Sequence, residues 1–134
     1  QGNIHTLESV HMNGLEIMTF AVNSAPRSVN NVLDMLEWNK NDIDMFVFHQ
    51  ANKFMIDSLR KRLRVPQEKV PIQVEKYGNV GNGTIPLALC EENFPTRKKT
   101  DKIVLCAFGG GLSCATVALD LKKTCFCKLI EYEK

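Results

Sequence analysis

Two short apolar segments, 43–48 and 102–108, constrain the fold of this chain more than any other feature. Each has the length and composition of a strand, and a nearly continuous apolar run is typical of a strand that is buried on both faces. Segments with helical spacing separate them along the chain. The sequence therefore predicts an α/β domain in which helices cover both faces of a sheet.

Shorter patterns complete the predicted order of elements. Apolar residues recur at intervals of three and four over 15–36, which predicts a long amphipathic helix with a kink or break at Pro26. The other predicted elements are a helix capped by Asn52, a strand over 70–75, a helix over 84–92 and a strand over 113–121. The order α-β-α-β-α-β-β predicts a mixed, mostly parallel sheet that ends in an antiparallel hairpin.

Composition narrows the class of protein. The 134 residues are enough for one domain, 1–134, and 44% of them are hydrophobic, which allows a real core. Seventeen basic and fifteen acidic residues give a net charge of +2, far from the balance of a nucleic-acid binder. We therefore expect no nucleic-acid partner. No apolar run approaches the roughly 18 residues of a membrane span, so we expect no membrane partner and a cytoplasmic location.

The five cysteines are expected to be reduced. Their number is odd, and they lack the paired C-x-x-C spacing of a zinc site, so no metal is expected. Cys106 and Cys114 fall within apolar strands and are interpreted as small buried hydrophobic residues, and Cys90 falls on a helix. Redox activity stays open for Cys125 and Cys127, although a C-x-C pair is a weak signal.

Three polar loops follow predicted strands. His49 comes directly after 43–48, Asn79 lies in the glycine-rich loop 78–83, and three glycines follow 102–108. Open α/β sheets place their chemistry at such strand ends. A neutral imidazole and a carboxamide can both donate hydrogen bonds to one oxygen, and a glycine turn can add backbone amides. The loops predict an oxyanion site, although a structural histidine and a simple turn are the alternatives.

Four motifs in register carry a family resemblance over roughly 10–121. They are MNG at 12–14, DIDMFVFHQAN at 42–52, YGN at 77–79 followed by IPLAL at 85–89, and AFGGG at 107–111. Together they resemble the C-terminal half of a β-ketoacyl-acyl carrier protein synthase III. The resemblance implies a thiolase fold of two similar halves and a Cys-His-Asn triad whose cysteine comes from the N-terminal half. We therefore expect this chain to be a C-terminal half without its N-terminal half, and 122–134 to be an atypical tail.

The resemblance also implies roles for particular residues. His49 and Asn79 would hold the thioester carbonyl of a malonyl group and stabilise the enolate formed as carbon dioxide leaves. The Gly110 amide would stabilise the tetrahedral oxyanion, and Phe108 would form an apolar wall that favours loss of the carboxylate. Two further residues are expected to contact substrate: Asn52 and Gly14.

The implied reaction joins malonyl-carrier protein to an acyl-coenzyme A primer in fatty acid biosynthesis. It needs no resident cofactor, because the coenzyme A and phosphopantetheine thioesters are substrates. The implied partners are the N-terminal half of the same enzyme, acyl carrier protein and acyl-coenzyme A, with a homodimer in the complete enzyme. The isolated chain is expected to be inactive, since the catalytic cysteine is missing.

Carrier docking is expected at a basic helix that contains Lys53, Arg60 and Lys61. The alternative is a solvated helix face, and Phe54 stands where the family usually has an arginine of the docking surface. Two other functions stay open: a non-catalytic module that binds acyl groups or carrier protein, and a related synthase that uses coenzyme A esters only.

Overall fold

The computed structural model describes residues 12–91, 102–121 and 129–130. These residues form four α-helices and a three-stranded sheet. The helices are α1 (Gly14–Met35), α2 (Lys53–Leu63), α3 (Val74–Tyr77) and α4 (Thr84–Glu91), and the strands are β1 (Met45–Phe48), β2 (Lys102–Gly109) and β3 (Ser113–Asp120). Three 3-10 turns lie at Lys40–Asp42, Gln67–Lys69 and Gly81–Gly83.

The sheet has the order β1-β2-β3 and is mixed. β1 and β2 are parallel, with Phe48 opposite Cys106, whereas β2 and β3 are antiparallel, with Phe108 opposite Cys114. The predicted α/β class and the final hairpin are thus confirmed. Because β1 and β2 run in the same direction, their carboxyl ends meet at one edge of the sheet.

β1 is buried on both faces, as its apolar sequence predicts. Phe46 and Phe48 pack in the cluster that contains residues of α1 and α2, whereas Met45 and Val47 pack in the cluster that contains residues of α4. All four side chains are 0% exposed. A strand between two helical layers has no polar face, which accounts for the continuous apolar run.

α1 runs from Gly14 to Met35 as one helix that contains Pro26, so the predicted helix is confirmed and a break at Pro26 is excluded. An interior proline costs a helix about 3 kcal/mol. The buried stripe of this helix recurs every four residues and packs on the sheet side, which outweighs that cost. Its members are Ala21, Ala25, Val29 and Leu33.

α2 begins where the sequence predicts. The Asn52 side chain accepts a hydrogen bond from the Met55 backbone N–H at 2.8 Å, which confirms the cap. The inward side chains are also as predicted: Met55, Ile56, Leu59 and Leu63. Arg64 closes the helix in the left-handed conformation, with φ 57°, before Val65 and Pro66.

The predicted strand over 70–75 is wrong. Residues 71–73 have no regular structure, and Val74–Tyr77 is a short helix, so the observed order is α-β-α-α-α-β-β. Pro71 has no N–H to offer a ladder. The neighbouring backbone groups bond instead to the buried Gln50 side chain, which donates to the Pro71 carbonyl at 3.4 Å and accepts from the Gln73 N–H at 2.8 Å.

Three cysteines lie within the described residues, and all are free thiols. Cys106 is buried, whereas Cys90 and Cys114 are half-buried. Cys125, Cys127 and most of the predicted tail over 122–134 lie outside the described residues. Among the helices of the described ranges, none combines the length and apolar character needed to cross a membrane.

Candidate active site

The three predicted loops meet at the edge of the sheet where β1 and β2 end. His49 follows β1, Asn79 lies between α3 and α4, and Gly109 and Gly110 end β2 and open its turn. All four line one cavity of about 660 Å³. The sheet register explains the meeting, because the parallel pairing places the end of β1, Phe48, beside Cys106, and β2 continues in the same direction to Gly109.

His49 is held at three points. Its backbone N–H donates to the Cys106 carbonyl at 2.9 Å, which extends the β1–β2 ladder by one residue. Its ring meets the Phe108 ring edge to face, with centroids 5.4 Å apart and an interplanar angle of 85°. Its Nδ1 lies 2.7 Å from the Thr84 hydroxyl. These contacts fix the ring and leave Nε2 for a ligand.

Burial lowers the pKa of His49 below its ordinary value, which favours the neutral form of the ring. A neutral imidazole carries one N–H, and the partner of one nitrogen decides the role of the other. With Nδ1 facing a hydroxyl, His49 can offer Nε2–H to an oxygen atom in the cavity.

Asn79 is held by its own loop. Its Oδ1 accepts a hydrogen bond from the Gly81 N–H at 3.1 Å, so the carboxamide presents its Nδ2 hydrogens as donors. Gly78 and Gly81 flank the residue with φ of 69° and 61°, a conformation that side chains with a Cβ rarely adopt. The glycines therefore shape the turn that exposes the carboxamide.

The start of the Asn79 loop is braced against the end of α4. The Tyr77 hydroxyl donates to Glu91 Oε1 at 2.5 Å, and Lys76 Nζ donates to Oε2 at 3.1 Å. The hydrogen bond from Tyr77, followed by the one from Lys76, lowers the pKa of Glu91. Hydrogen bonds with Tyr77 and with Glu91 raise the pKa of Lys76.

A second, more apolar recess of about 420 Å³ opens on the other side of the same residues. It shares His49, Asn79, Phe108, Gly109 and Gly110 with the first cavity. Its remaining walls come from the start of α1 and of α2: Met12, Gly14, Ile17, Ala51, Asn52 and Met55. The structure thus brings Gly14 and Asn52 to the site, so two recesses converge on the same donors.

The β2–β3 turn supplies main chain rather than side chains to the cavity wall. Gly110 is exposed there, and its carbonyl accepts a hydrogen bond from the Ser113 hydroxyl at 2.8 Å. Gly111 has φ 127°, and a Cβ on it would come within 3.2 Å of the Ser113 nitrogen. The turn therefore needs glycine to keep its close approach.

The predicted docking residues line neither recess. Lys53 forms an ion pair with Glu75 at 3.0 Å, and Arg60 pairs with Asp57 at 3.5 Å. Lys61 has no ion-pair partner within the described residues. It therefore has the freest charge of the three for an external partner.

The sequence patterns did not predict a role for Gln50 or Thr84. They are the buried polar residues of the described core, each 2% exposed. Gln50 ties the end of β1 to residues 71–73, and Thr84 bonds His49. Only the position of Thr84 at the start of a helix after a glycine-rich loop could have drawn attention to it. Within the part of the chain that the structure describes, no three His, Cys, Asp or Glu residues cluster as metal ligands would.

Known proteins share this sequence and fold. A family model described as 3-oxoacyl-[acyl-carrier-protein (ACP)] synthase III C terminal matches residues 33–121, which include His49 and Asn79. A beta-ketoacyl-[acyl-carrier-protein] synthase III 1 from Bacillus cereus is 44% identical over 113 residues, or 84% of this chain and 36% of that protein. One from Clostridium novyi is 44% identical over 108 residues, or 80% and 33% of the two chains. The chain thus spans about a third of the length of these relatives.

Solved structures agree with the sequence matches. A crystal structure of a 3-oxoacyl-(acyl-carrier-protein) synthase III superposes with a TM-score of 0.78 and 37% identity, over 89% of this chain and 36% of that one. The corresponding enzyme from Thermus thermophilus superposes with a TM-score of 0.77 and 37% identity, over 82% and 35% of the two chains. The chain therefore belongs to the 3-oxoacyl-[acyl-carrier-protein] synthase III C-terminal family and has its thiolase-like α/β fold.

Proposed function

We propose that this chain is the C-terminal part of a 3-oxoacyl-[acyl-carrier-protein] synthase III and supplies two of the three catalytic side chains for decarboxylative condensation. One observation carries the proposal: His49 and Asn79 line the same cavities, with His49 Nδ1 and Asn79 Oδ1 each hydrogen-bonded within the protein. His49 Nε2–H and the Asn79 Nδ2 hydrogens can therefore be directed at one oxygen atom.

In the proposed reaction, the malonyl thioester carbonyl accepts hydrogen bonds from His49 and Asn79. The bond between the malonyl α-carbon and its carboxylate breaks, carbon dioxide leaves, and the electron pair forms an enolate whose oxygen these donors stabilise. The enolate carbon then attacks an acyl thioester on the cysteine that the N-terminal half of the enzyme supplies. The tetrahedral oxyanion meets the Gly110 amide, and the cysteine leaves as a thiolate when the C–S bond breaks.

The two recesses suit two thioesters. The apolar recess lined by Met12, Gly14 and Asn52 fits a phosphopantetheine arm that approaches between the starts of α1 and α2. The larger cavity has room for the acyl-cysteine segment of the longer enzyme. Phe108 lies against His49 and gives the carboxylate an apolar surface that favours its loss.

The proposal includes partners and setting. Acyl-coenzyme A and acyl carrier protein deliver the two thioesters, no resident cofactor takes part, and the complete enzyme is a cytoplasmic homodimer. Without the cysteine-bearing part, the chain alone should form no condensation product.

The catalytic assignment is tested in the full-length enzyme with His49→Ala, Asn79→Ala and Asn79→Asp. Asp can still accept from the Gly81 N–H but cannot donate to the substrate, so it should fail as Ala does. Each variant should lose about 10²- to 10³-fold in malonyl decarboxylation and keep acylation of the cysteine. Asn31→Ala, on an exposed position of α1, is the matched control. Decarboxylation at the parent rate in the site variants would refute the assignment.

Carrier docking is proposed at the basic end of α2. Of the three predicted docking residues, Lys61 has no ion-pair partner within the described residues, so Lys61→Glu should weaken binding of acidic carrier protein, and the loss should shrink as salt rises. Arg27→Glu makes the same charge change at an exposed position of α1 and should have little effect.

The exposed Phe54 favours the alternative, a synthase that takes coenzyme A esters only, because a phenylalanine stands where the family has a docking arginine. Equal rates with malonyl-coenzyme A and malonyl-carrier protein, together with no effect of Lys61→Glu, would support that alternative.

A further inference from the structure

The hydrogen-bond partner of the catalytic histidine is an uncharged hydroxyl. His49 Nδ1 and Thr84 Oγ1 are 2.7 Å apart. Thr84 is the first residue of α4 and is 2% exposed, so water has little access to its hydroxyl. The contact joins the end of β1 to the start of the helix that follows the Asn79 loop.

A hydroxyl can either donate to Nδ1 or accept from it, so the distance alone does not fix the tautomer. The surroundings do. Thr84 has no second side-chain hydrogen bond within the described residues. If Nδ1 carried the hydrogen, the Thr84 hydrogen would be buried without an acceptor, which is unfavourable.

The opposite tautomer satisfies both groups. Thr84 then donates to the Nδ1 lone pair, and the Nε2–H of His49 faces the cavity, where water or a substrate oxygen can accept it. We propose that Thr84 is a positioning residue whose buried hydroxyl donates to His49 Nδ1 and so keeps the ring hydrogen on Nε2. This inference rests on the proposed function and specifies how the site prepares its donor before substrate binds.

The chemistry favours threonine over an acidic partner at this place. A carboxylate on Nδ1 would accept from it and favour the imidazolium form, which suits a histidine that acts as a base. A hydroxyl adds no charge and leaves the ring neutral, in line with the lowered pKa that burial causes. A neutral ring with its hydrogen on Nε2 is a donor, which is what a carbonyl oxygen that gains negative charge requires.

The test uses the full-length enzyme labelled with ¹⁵N at histidine, with the His49 signals assigned by their loss in His49→Ala. The parent should show a protonated Nε2 and a hydrogen-bonded, unprotonated Nδ1. Thr84→Val keeps the shape of the side chain and removes its hydroxyl, and Thr84→Ala is a second variant that also removes it. Both should lose the hydrogen-bonded Nδ1 signal and show a mixture of tautomers, whereas Thr84→Ser should restore the parent spectrum.

Activity should follow the spectra. Thr84→Val should lower malonyl decarboxylation by about 10-fold or more and leave cysteine acylation unchanged, and Thr84→Ser should stay close to the parent. Thr116→Val is the matched control, since it removes a half-buried hydroxyl that donates to the Ser28 hydroxyl at 2.7 Å. Thr116 does not line the cavity. This variant should change neither the His49 signals nor the rate.

The outcomes separate this inference from the proposed function. Unchanged His49 signals in Thr84→Val and Thr84→Ala overturn the inference, whatever the rates are. A loss of activity that Ser does not rescue, with the parent tautomer retained, would show a merely structural role and also overturns it. If the parent enzyme does not decarboxylate malonyl thioesters, the proposed function fails, and the spectra still decide whether Thr84 sets the tautomer.

Discussion

Gln50 should be the most costly polar side chain to remove from the described core. It is 2% exposed, and its amide donates to the Phe48 carbonyl at 2.8 Å and accepts from the Gln73 N–H at 2.8 Å, with a longer contact of 3.4 Å to the Pro71 carbonyl. Gln50→Leu keeps the approximate volume and removes all three contacts. The structure therefore loses the link between the end of β1 and the segment that leads to Asn79.

The expected cost follows from these contacts. Two hydrogen bonds of good length contribute about 1–3 kcal/mol together, and the cost rises because their backbone partners are left unpaired. Leucine recovers part of this through apolar burial. The net loss in the free energy of unfolding should be about 2–4 kcal/mol. With a denaturant slope of about 2 kcal/mol per molar, the urea midpoint should fall by about 1–2 M.

Equilibrium urea unfolding followed by circular dichroism measures this change. Gln67→Leu is the matched control, because Gln67 is exposed at the start of a 3-10 turn, and its change should be within about 0.5 kcal/mol. Gln50→Glu adds a sharper test, since a carboxylate can accept from the Gln73 N–H but cannot donate to the two carbonyls. A Gln50→Leu variant as stable as Gln67→Leu would refute the reasoning.

Three further outcomes are expected. Leu59→Ala should cost about 2–5 kcal/mol in thermal or urea unfolding, because Leu59 is 0% exposed in the core cluster that also contains residues of α1 and the sheet, and a loss below 1 kcal/mol would contradict that packing. The lowered pKa of Glu91 makes its contribution to stability present at neutral pH and lost as pH falls through that pKa, so Glu91→Gln should flatten the acid side of a plot of melting temperature against pH. An acid limb as steep as the parent's would count against the brace. Burial raises the pKa of the Cys106 thiol to about 12, so peptide mapping after brief alkylation at pH 8 should show Cys106 labelled more slowly than Cys114, and equal rates would contradict the buried position.

Short-range patterns in the sequence were sufficient to predict β1, α2 and the final hairpin. β1 needed only its apolar run, α2 needed its Asn52 cap and its spacing of three and four, and the final hairpin needed two apolar runs around three glycines. The end of β1 fixed the position of His49, whereas the strand predicted before Asn79 is a short helix, so the position of Asn79 at the same edge depends on the fold. Those inferences succeed because secondary structure follows short-range periodicity.

The segment 70–75 shows where short-range reasoning fails. Its apolar residues alternate as in a strand, yet Pro71 offers no N–H, and Gln50 bonds to the backbone of 71–73 from more than twenty positions earlier in the chain. Pro26 shows the reverse case, in which packing of α1 against the sheet retains a helix through a residue that usually interrupts one. In both places a long-range contact outweighs the local preference.

His49 was recognisable from its residue type and its place after a predicted strand, and Asn79 from its residue type and its place in a glycine-rich loop. The state of their donor atoms was not, because it depends on the Thr84 hydroxyl at 2.7 Å and the Gly81 N–H at 3.1 Å. Residue type defines what a group can donate, whereas the folded chain sets which of its atoms are already engaged. The sequence alone therefore identifies the residues of the site. Which of their atoms can donate to an oxyanion is decided only when β1, the Asn79 loop and α4 pack together.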